Sequence, residues 1–203
     1  NIALLSFAQL RNPKDWFNVK SRALHQCNEL FKTAKKSDGA FRVIRNQADL
    51  AKYIEDRKAN PRLTAGMLGI EGAHCLNDEL SNLQEFYKAG VRYIGLTHFF
   101  DNAWAGSAHG MKKEGLTEKG KQLVRQMDSL HMLIDLAHAS PKTIDDIFAL
   151  TQSPVLISHT GVKGVCENTR NLSDAHLLEI GRRNELVGIG LWETAVCGTD
   201  AAA

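Results

Sequence analysis

The sequence predicts an α/β fold in which a parallel sheet closes into a barrel of the (β/α)8 TIM type. Short apolar runs alternate with segments of helical periodicity, which is typical of buried parallel strands between helices. Residues 132–138 and 154–159 are two such runs, and each ends in a histidine. Because parallel strands end at one edge of their sheet, we expect both imidazoles at that edge. Polar residues at strand ends favour a barrel over a doubly wound sheet.

About six strand–helix units can be traced, whereas a complete barrel has eight units in about 250 residues. The sequence therefore predicts a single domain, 1–203, that holds about six of the eight units. Residues 99–115 form a long polar loop without periodicity, and loops of that length are usually functional or mobile. The six candidate strands are residues 2–8, 67–72, 91–98, 132–138, 154–159 and 186–192, and residues 41–44 are a short extended segment.

Residues that favour the first turn of a helix mark where the helices begin. One helix begins at Asn12–Pro13 and ends near Asp38, and another occupies residues 79–88. The other starts are Asn46, Thr117, Ser140 and Ser173. These starts lie between candidate strands, and parallel strands need such crossover connections.

Composition excludes several classes of function. With 43% hydrophobic and 24% charged residues, the chain has the make-up of a soluble globular protein. The net charge of +2 gives no basic surface for nucleic acid, so no nucleic-acid partner is expected. No apolar run approaches the roughly 18–20 residues of a membrane span. The first residue is not Met, so a removed signal peptide and the compartment both stay open.

Cysteine spacing gives no indication of a metal or redox motif, because the chain has no Cys-x-x-Cys pair. A domain of this size needs no disulfide for stability, so we expect reduced, structural thiols. The four cysteines are Cys27, Cys75, Cys166 and Cys197.

Four predicted strands end in a side chain capable of metal or proton chemistry: Glu71, His98, His138 and His159. Because side chains alternate along a strand, each of these residues lies on the same face of the sheet as the residue two positions before it. In a barrel those faces point into the mouth. Neutral imidazoles with a carboxylate are typical ligands of hydrolytic zinc sites, whose bound water ionises near pH ~7. The pattern therefore predicts a metal site.

The remaining candidates are weaker. Asp135 faces away from His138 by alternation, which indicates a structural role or a role in supporting the site. Trp104 either walls the pocket or packs the long loop. His74 is ambiguous, because it follows Glu71 by three residues. We assign no metal to the other histidines, which precede a strand or lie in helices and in the long loop: His25, His109, His131 and His176.

Seven motifs together make the chain resemble the membrane (renal) dipeptidase family of zinc peptidases. They occur in one order between Met67 and Trp192: Gly69–His74, Tyr93–His98, Asn102–Ala105, Gly115–Thr117, Leu133–His138, Pro154–His159 and Arg170–Leu172. The resemblance implies a barrel of the metal-dependent hydrolase kind, two zinc ions, a dipeptide substrate and a homodimer.

The resemblance also implies roles for individual residues. Glu71 would bridge the two zinc ions, and His138 and His159 would complete the ligands of the second. His98 would contact substrate and steady the tetrahedral intermediate, and Arg170 would bind the terminal carboxylate of the substrate. A guanidinium suits that group because two parallel N–H bonds match its two oxygens.

Two motifs of the family are missing from the sequence. Its first strand ends in His-x-Asp, which occurs nowhere here, and the context of Asp200 differs from the late motif that carries the family's proton-transfer aspartate. We expect that residues at both ends lie outside this sequence. Two alternatives stay open: a non-catalytic relative that binds small carboxylates, and an amidohydrolase acting on another amide. Arg170 is mild evidence against the amidohydrolase alternative.

Overall fold

The computed structural model describes residues 19–198. The chain divides into two compact units, Asn1–Tyr93 and Ile94–Ala203. The strand predicted at residues 2–8 and the helix start at Asn12–Pro13 lie outside the described residues.

The first unit alternates helices and strands. Its elements are α1 (Val19–Lys36), β1 (Phe41–Ile44), α2 (Gln47–Ala59), β2 (Thr64–Glu71), a 3-10 turn (Ala73–Leu76), α3 (Asn82–Lys88) and the start of β3 (Val91–Gly95). β1 and β2 are parallel, with Phe41 opposite Thr64 and Ile44 opposite Met67. The predicted helix start at Asn46 is confirmed, since its side chain accepts a 2.8 Å hydrogen bond from the N–H of Asp49.

The second unit repeats this pattern. Its elements after the end of β3 are α4 (Glu118–Ser129), β4 (Leu133–Asp135), α5 (Pro141–Leu150), β5 (Val155–Thr160), α6 (Asp174–Arg183), β6 (Leu186–Ile189) and α7 (Glu193–Val196). β5 pairs in parallel with β4 and with β6. Strand order follows chain order in both units, and β3 crosses the boundary between them. An α/β fold with parallel strands is thereby confirmed.

Side-chain caps begin three helices of the second unit where the sequence predicts them. Thr117, Ser140 and Ser173 accept hydrogen bonds from the N–H groups of Gly120, Thr143 and His176. Each cap satisfies an N–H that has no partner within its helix. The helices then turn their apolar sides inward, and the buried residues of α4 are Gly120, Leu123, Val124 and Met127.

Three strands end three residues earlier than predicted: β3 at Gly95, β4 at Asp135 and β6 at Ile189. His98 and His138 therefore lie in the loops that follow β3 and β4. Alternation along a strand therefore does not set their directions, and that part of the prediction is wrong. His138 has a φ of 65°, in the left-handed region. The buried Asp135 carboxylate accepts the N–H of Ala137 and thereby turns the chain directly after the strand.

The expectation of four reduced cysteines is wrong for one pair. Cys166 and Cys197 form a disulfide with a Cα–Cα distance of 5.2 Å, whereas Cys27 and Cys75 are free and buried. Burial raises the pKa of the Cys75 thiol and keeps it protonated. Spacing concealed the disulfide, because 31 residues separate two cysteines that the fold brings together.

Within residues 19–198, no helix is both long enough and apolar enough to cross a bilayer.

Candidate metal centre and substrate cavity

Two histidines of the second unit face each other near the carboxyl ends of the neighbouring strands β4 and β5. His138 follows β4 and is buried, whereas His159 belongs to β5 and is half-buried. Their Nε2 atoms lie 2.9 Å apart, and their ring centroids are 4.8 Å apart. This places two imidazole nitrogens of the predicted site within reach of one ion.

The Asp135 carboxylate ties together the segments that carry these histidines. Its Oδ1 accepts the N–H of Ala137 at 3.0 Å and the N–H of Ser158 at 2.9 Å. Ala137 precedes His138 and Ser158 precedes His159. The carboxylate therefore holds the two histidine-bearing segments in register, in agreement with the structural or supporting role predicted for it.

His98 lies against the same pair. It is buried, and its ring packs edge-on to His138 with centroids 4.5 Å apart. A ring nitrogen of His98 lies within 4.8 Å of one of His138. The Ser107 hydroxyl donates to the His98 carbonyl, and the hydroxyl of Thr97 donates to the His138 carbonyl at 3.1 Å. The backbones around both histidines are therefore fixed by buried hydroxyl groups.

His109 is a fourth histidine at this site. Its ring centroid lies 5.3 Å from that of His138 and 5.1 Å from that of Phe99. Partial burial, together with the positive charge of Arg170 and the imidazole of His98, lowers the pKa of His109 to about 4. A neutral imidazole can donate one hydrogen bond and accept another at neutral pH.

Arg170 is held at the carboxyl end of β5. Its Nη2 donates to the His159 carbonyl at 2.6 Å, and its Nη1 donates to the Thr160 hydroxyl at 3.2 Å. The guanidinium also lies 5.8 Å from the ring of Trp192, which stacks edge-on to His159 at 5.9 Å. Arg170 is therefore hydrogen-bonded to the end of β5 beside His159, and the ring of Trp192 packs near both.

A cavity of about 760 Å³ opens beside these residues within the second unit. Arg170 and His109 both line it, and Glu193 adds a carboxylate. Ligand pockets usually have about 300–1,000 Å³, so a small peptide fits within this volume. The other residues that line it are Cys166, Glu167, Asn168, Thr169, Thr194, Cys197 and Gly198.

The disulfide fastens the loop that carries Arg170. It joins Cys166 in this loop to Cys197, directly after α7. The Asn171 amide donates to the Ala195 carbonyl in α7 at 3.0 Å, and within the loop it donates to the Cys166 carbonyl at 2.7 Å. The wall of the cavity is thereby bound to the end of the described chain at several points.

The structure thus brings His98, His138, His159 and Arg170 together in the second unit. Glu71 belongs to the first unit, where it ends β2 and is half-buried. Trp104 is completely buried, and its carbonyl accepts the N–H of Thr117, which favours loop packing over a place in the cavity wall.

Three residues at this site were given no site role from the sequence: His109, Ser158 and Trp192. A hydroxyl residue directly before His159 was a signal that could have been used, because Ser158 Oγ lies 2.9 Å from His159 Nδ1. His109 had no such signal, since a loop without periodicity conceals where its side chains point.

This arrangement agrees with what comparison to known proteins finds. A family-wide sequence description, membrane dipeptidase (peptidase family M19), matches residues 5–203. The chain belongs to the membrane dipeptidase family. Membership implies a metal site, and the clustered imidazoles of the second unit are compatible with one.

Individual relatives support the assignment. Dipeptidase 3 of Mus musculus is 36% identical over 131 residues, and an uncharacterized dipeptidase of Schizosaccharomyces pombe is 35% identical over 130 residues. These matches cover 62% and 63% of this chain but 26% and 32% of the relatives. The chain therefore matches about a quarter to a third of each relative's length.

A solved structure shows the same fold. The metallopeptidase of Rhodobacter sphaeroides, liganded with a phosphinate mimic of the dipeptide L-Ala-D-Ala, is 27% identical with a TM-score of 0.74. The match covers 86% of this chain and 50% of that protein.

Proposed function

We propose that this protein is a zinc-dependent dipeptidase. The observation that carries the proposal is the pair His138 and His159, whose Nε2 atoms lie 2.9 Å apart in a member of the membrane dipeptidase family. The substrate is a dipeptide, and the reaction is hydrolysis of its peptide bond. Family membership supports the reaction type, and the cavity beside Arg170 supports a small substrate.

The histidine pair fits a zinc ion. Two nitrogens bound at about 2.0–2.1 Å to one tetrahedral ion lie about 3.3–3.4 Å apart. The two Nε2 atoms are 2.9 Å apart, so they need to separate by only a few tenths of an ångström to bind one zinc ion. Ser158 Oγ lies at hydrogen-bond distance from His159 Nδ1, and a proton on Nδ1 leaves the Nε2 lone pair directed at the ion. We therefore assign His138 and His159 as zinc ligands.

A carboxylate is needed to complete the site, and we assign that role to Glu71. The support is its position at the end of β2, together with the family resemblance of Gly69–His74. As a bridging ligand it would serve two zinc ions. The first ion would need further ligands, because the sequence contains no His-x-Asp motif.

A zinc ion held by these residues would supply a water-derived nucleophile near neutral pH and would polarise the peptide carbonyl. The side chains of this protein bind and orient the substrate around that chemistry. We assign His98 to the oxygen on which negative charge develops, because it packs 4.5 Å from His138 and can donate a hydrogen bond there. Trp104 supports the loop from its buried position.

We assign Arg170 to the free carboxylate of the dipeptide. Two bonds from the guanidinium to the end of β5 hold it beside His159, so it can orient a carboxylate next to the metal ligands. Recognition of that group would favour dipeptides over peptides whose carboxylate lies further away.

The finer features of the fold belong to the same proposal. The parallel strands belong to a (β/α)8 barrel. A symmetric homodimer rests on the family resemblance alone.

The experiment uses the full-length protein and measures release of amino acids from dipeptides such as Gly-Leu. We expect hydrolysis that ceases with a strong chelator and returns on addition of zinc. His138→Ala should abolish it, whereas exchange of the exposed His25 to Ala in α1 should leave it unchanged. Hydrolysis that survives complete removal of metal would contradict the proposal.

A further inference from the structure

The short segment Ser107–His109 is hydrogen-bonded to two other segments of the site. The N–H of Ala108 donates to the His138 carbonyl at 2.8 Å, and its carbonyl accepts the hydroxyl of Thr169 at 2.9 Å. His138 is an assigned metal ligand, and Thr169 directly precedes Arg170. The segment that carries His109 therefore connects the metal side of the site to the arginine side.

Asp101 fixes the rest of this loop. Its carboxylate accepts the N–H of Ser107 and the N–H of Lys112, both at 2.8 Å. Gly110 lies so close that an added Cβ would be 1.9 Å from Asp101 Oδ1. The hydroxyl of Ser107 also accepts the N–H of His109 at 3.1 Å. The backbone of His109 is therefore held in place, and its side chain is presented from a rigid support.

The ring of His109 lies between an aromatic cluster and the cavity. One side contacts Phe99 and His138, and the ring also lines the cavity that Arg170 lines. In a dipeptide, the free carboxylate lies one residue, about 3.8 Å of chain, beyond the bond that is hydrolysed. A group that contacts the ring of a metal ligand is therefore near enough to reach that carboxylate.

We propose that His109 is a specificity-determining residue that donates a hydrogen bond to the terminal carboxylate of the substrate, together with Arg170. This inference rests on the proposed dipeptidase function and adds a second recognition group to it. A carboxylate has about four acceptor positions, so a guanidinium and an imidazole N–H can bind it together. Two donors from separate loops would reject a neutral terminal amide more strongly than Arg170 alone.

The test compares His109→Leu with the wild type in the full-length protein, on Gly-Leu and on its terminal amide, Gly-Leu-NH2. We expect KM for Gly-Leu to rise about 10-fold or more with a smaller change in kcat, because a hydrogen bond to a charged group is lost. Cleavage of the amide should change little, so the preference for a free carboxylate falls. His109→Gln keeps an N–H donor and should recover part of the loss.

Two controls separate the alternatives. His25→Leu makes the same exchange at an exposed histidine of α1 and should leave KM unchanged. Zinc content and the melting temperature of the His109 variants should match the wild type. An unchanged KM in an active His109→Leu protein would overturn this inference and leave the dipeptidase function standing. Joint loss of zinc and kcat would also overturn it, because His109 would then serve the metal. A zinc-loaded wild type that cleaves no dipeptide would overturn the proposed function and this inference with it.

Discussion

The Nε2 atoms of His138 and His159 lie 2.9 Å apart, although 21 residues separate the two histidines in the chain. One of them follows β4 and the other lies in the neighbouring β5. The α5 helix between these strands returns the chain to the edge of the sheet where strands begin, so β5 runs parallel to β4. Both strands therefore end at the same edge, and each brings one imidazole there. The pairing thus follows from the parallel strand–helix pattern, and it accounts for why one ion can engage both residues.

Asp135 should be essential to this pairing, because it holds Ala137 and Ser158, the residues next to the two histidines. Asp135→Ala leaves two N–H groups without this acceptor and should lower the free energy of unfolding by about 2–4 kcal/mol. Asp135→Asn should cost less, because an amide oxygen still accepts. Urea denaturation measures both, with Asp174→Ala, an exposed carboxylate at the start of α6, as the control. Equal stability of Asp135→Ala and wild type would contradict this role.

Arg170 should act on substrate affinity more than on turnover. Arg170→Lys keeps the charge but loses the planar pair of donors, so we expect KM for dipeptides to rise roughly 10–100-fold with a smaller loss in kcat. Steady-state kinetics of the full-length protein checks this, with Arg182→Lys on the exposed side of α6 as the matched control. A fall in kcat at constant KM would show that Arg170 has a different role.

The disulfide between Cys166 and Cys197 should stabilise the loop of Arg170. Titration of the denatured, unreduced protein should find two reactive thiols among these four cysteines, namely Cys27 and Cys75. For a separation of 31 residues, the loss of loop-closure entropy corresponds to about 3–4 kcal/mol, so Cys166→Ser with Cys197→Ser should destabilise by up to that amount. Four reactive thiols in protein prepared without reductant would refute the pairing.

Gly69 and Gly181 offer a matched pair of substitutions. A Cβ on Gly69 in β2 would lie 1.8 Å from the ring of Tyr93, so Gly69→Ala should destabilise the protein by about 1–3 kcal/mol. A Cβ on Gly181 in α6 meets nothing within 4 Å, so Gly181→Ala should stabilise it by roughly 0.5–1 kcal/mol. Thermal denaturation distinguishes the two signs. Similar effects from both exchanges would contradict the packing of Gly69 against Tyr93.

Sequence patterns predicted much of this fold because they report local physics. Asn46, Thr117, Ser140 and Ser173 cap helices where expected, since a cap depends on a few consecutive residues. The apolar runs likewise gave the parallel strands, because burial on both faces requires continuous apolar sequence.

The features that were missed depend on contacts between distant residues. His138 was placed within a strand that ends earlier, because the side chain of Asp135 turns the chain after β4. His98 was likewise placed within β3, which ends at Gly95. The disulfide joins cysteines whose proximity depends on how β6 and α7 return to the loop of Arg170. His109 reaches the site through bonds from Ala108 to His138 and Thr169, and no local pattern encodes them.

Zinc content measures the central claim most directly. The full-length protein, dialysed against metal-free buffer after loading with zinc, should retain stoichiometric zinc by plasma mass spectrometry. His138→Ala and His159→Ala should each lose at least one bound ion per chain while remaining folded by circular dichroism, and His25→Ala should lose none. Unchanged zinc content in both folded site variants would contradict the claim that these two imidazoles share an ion.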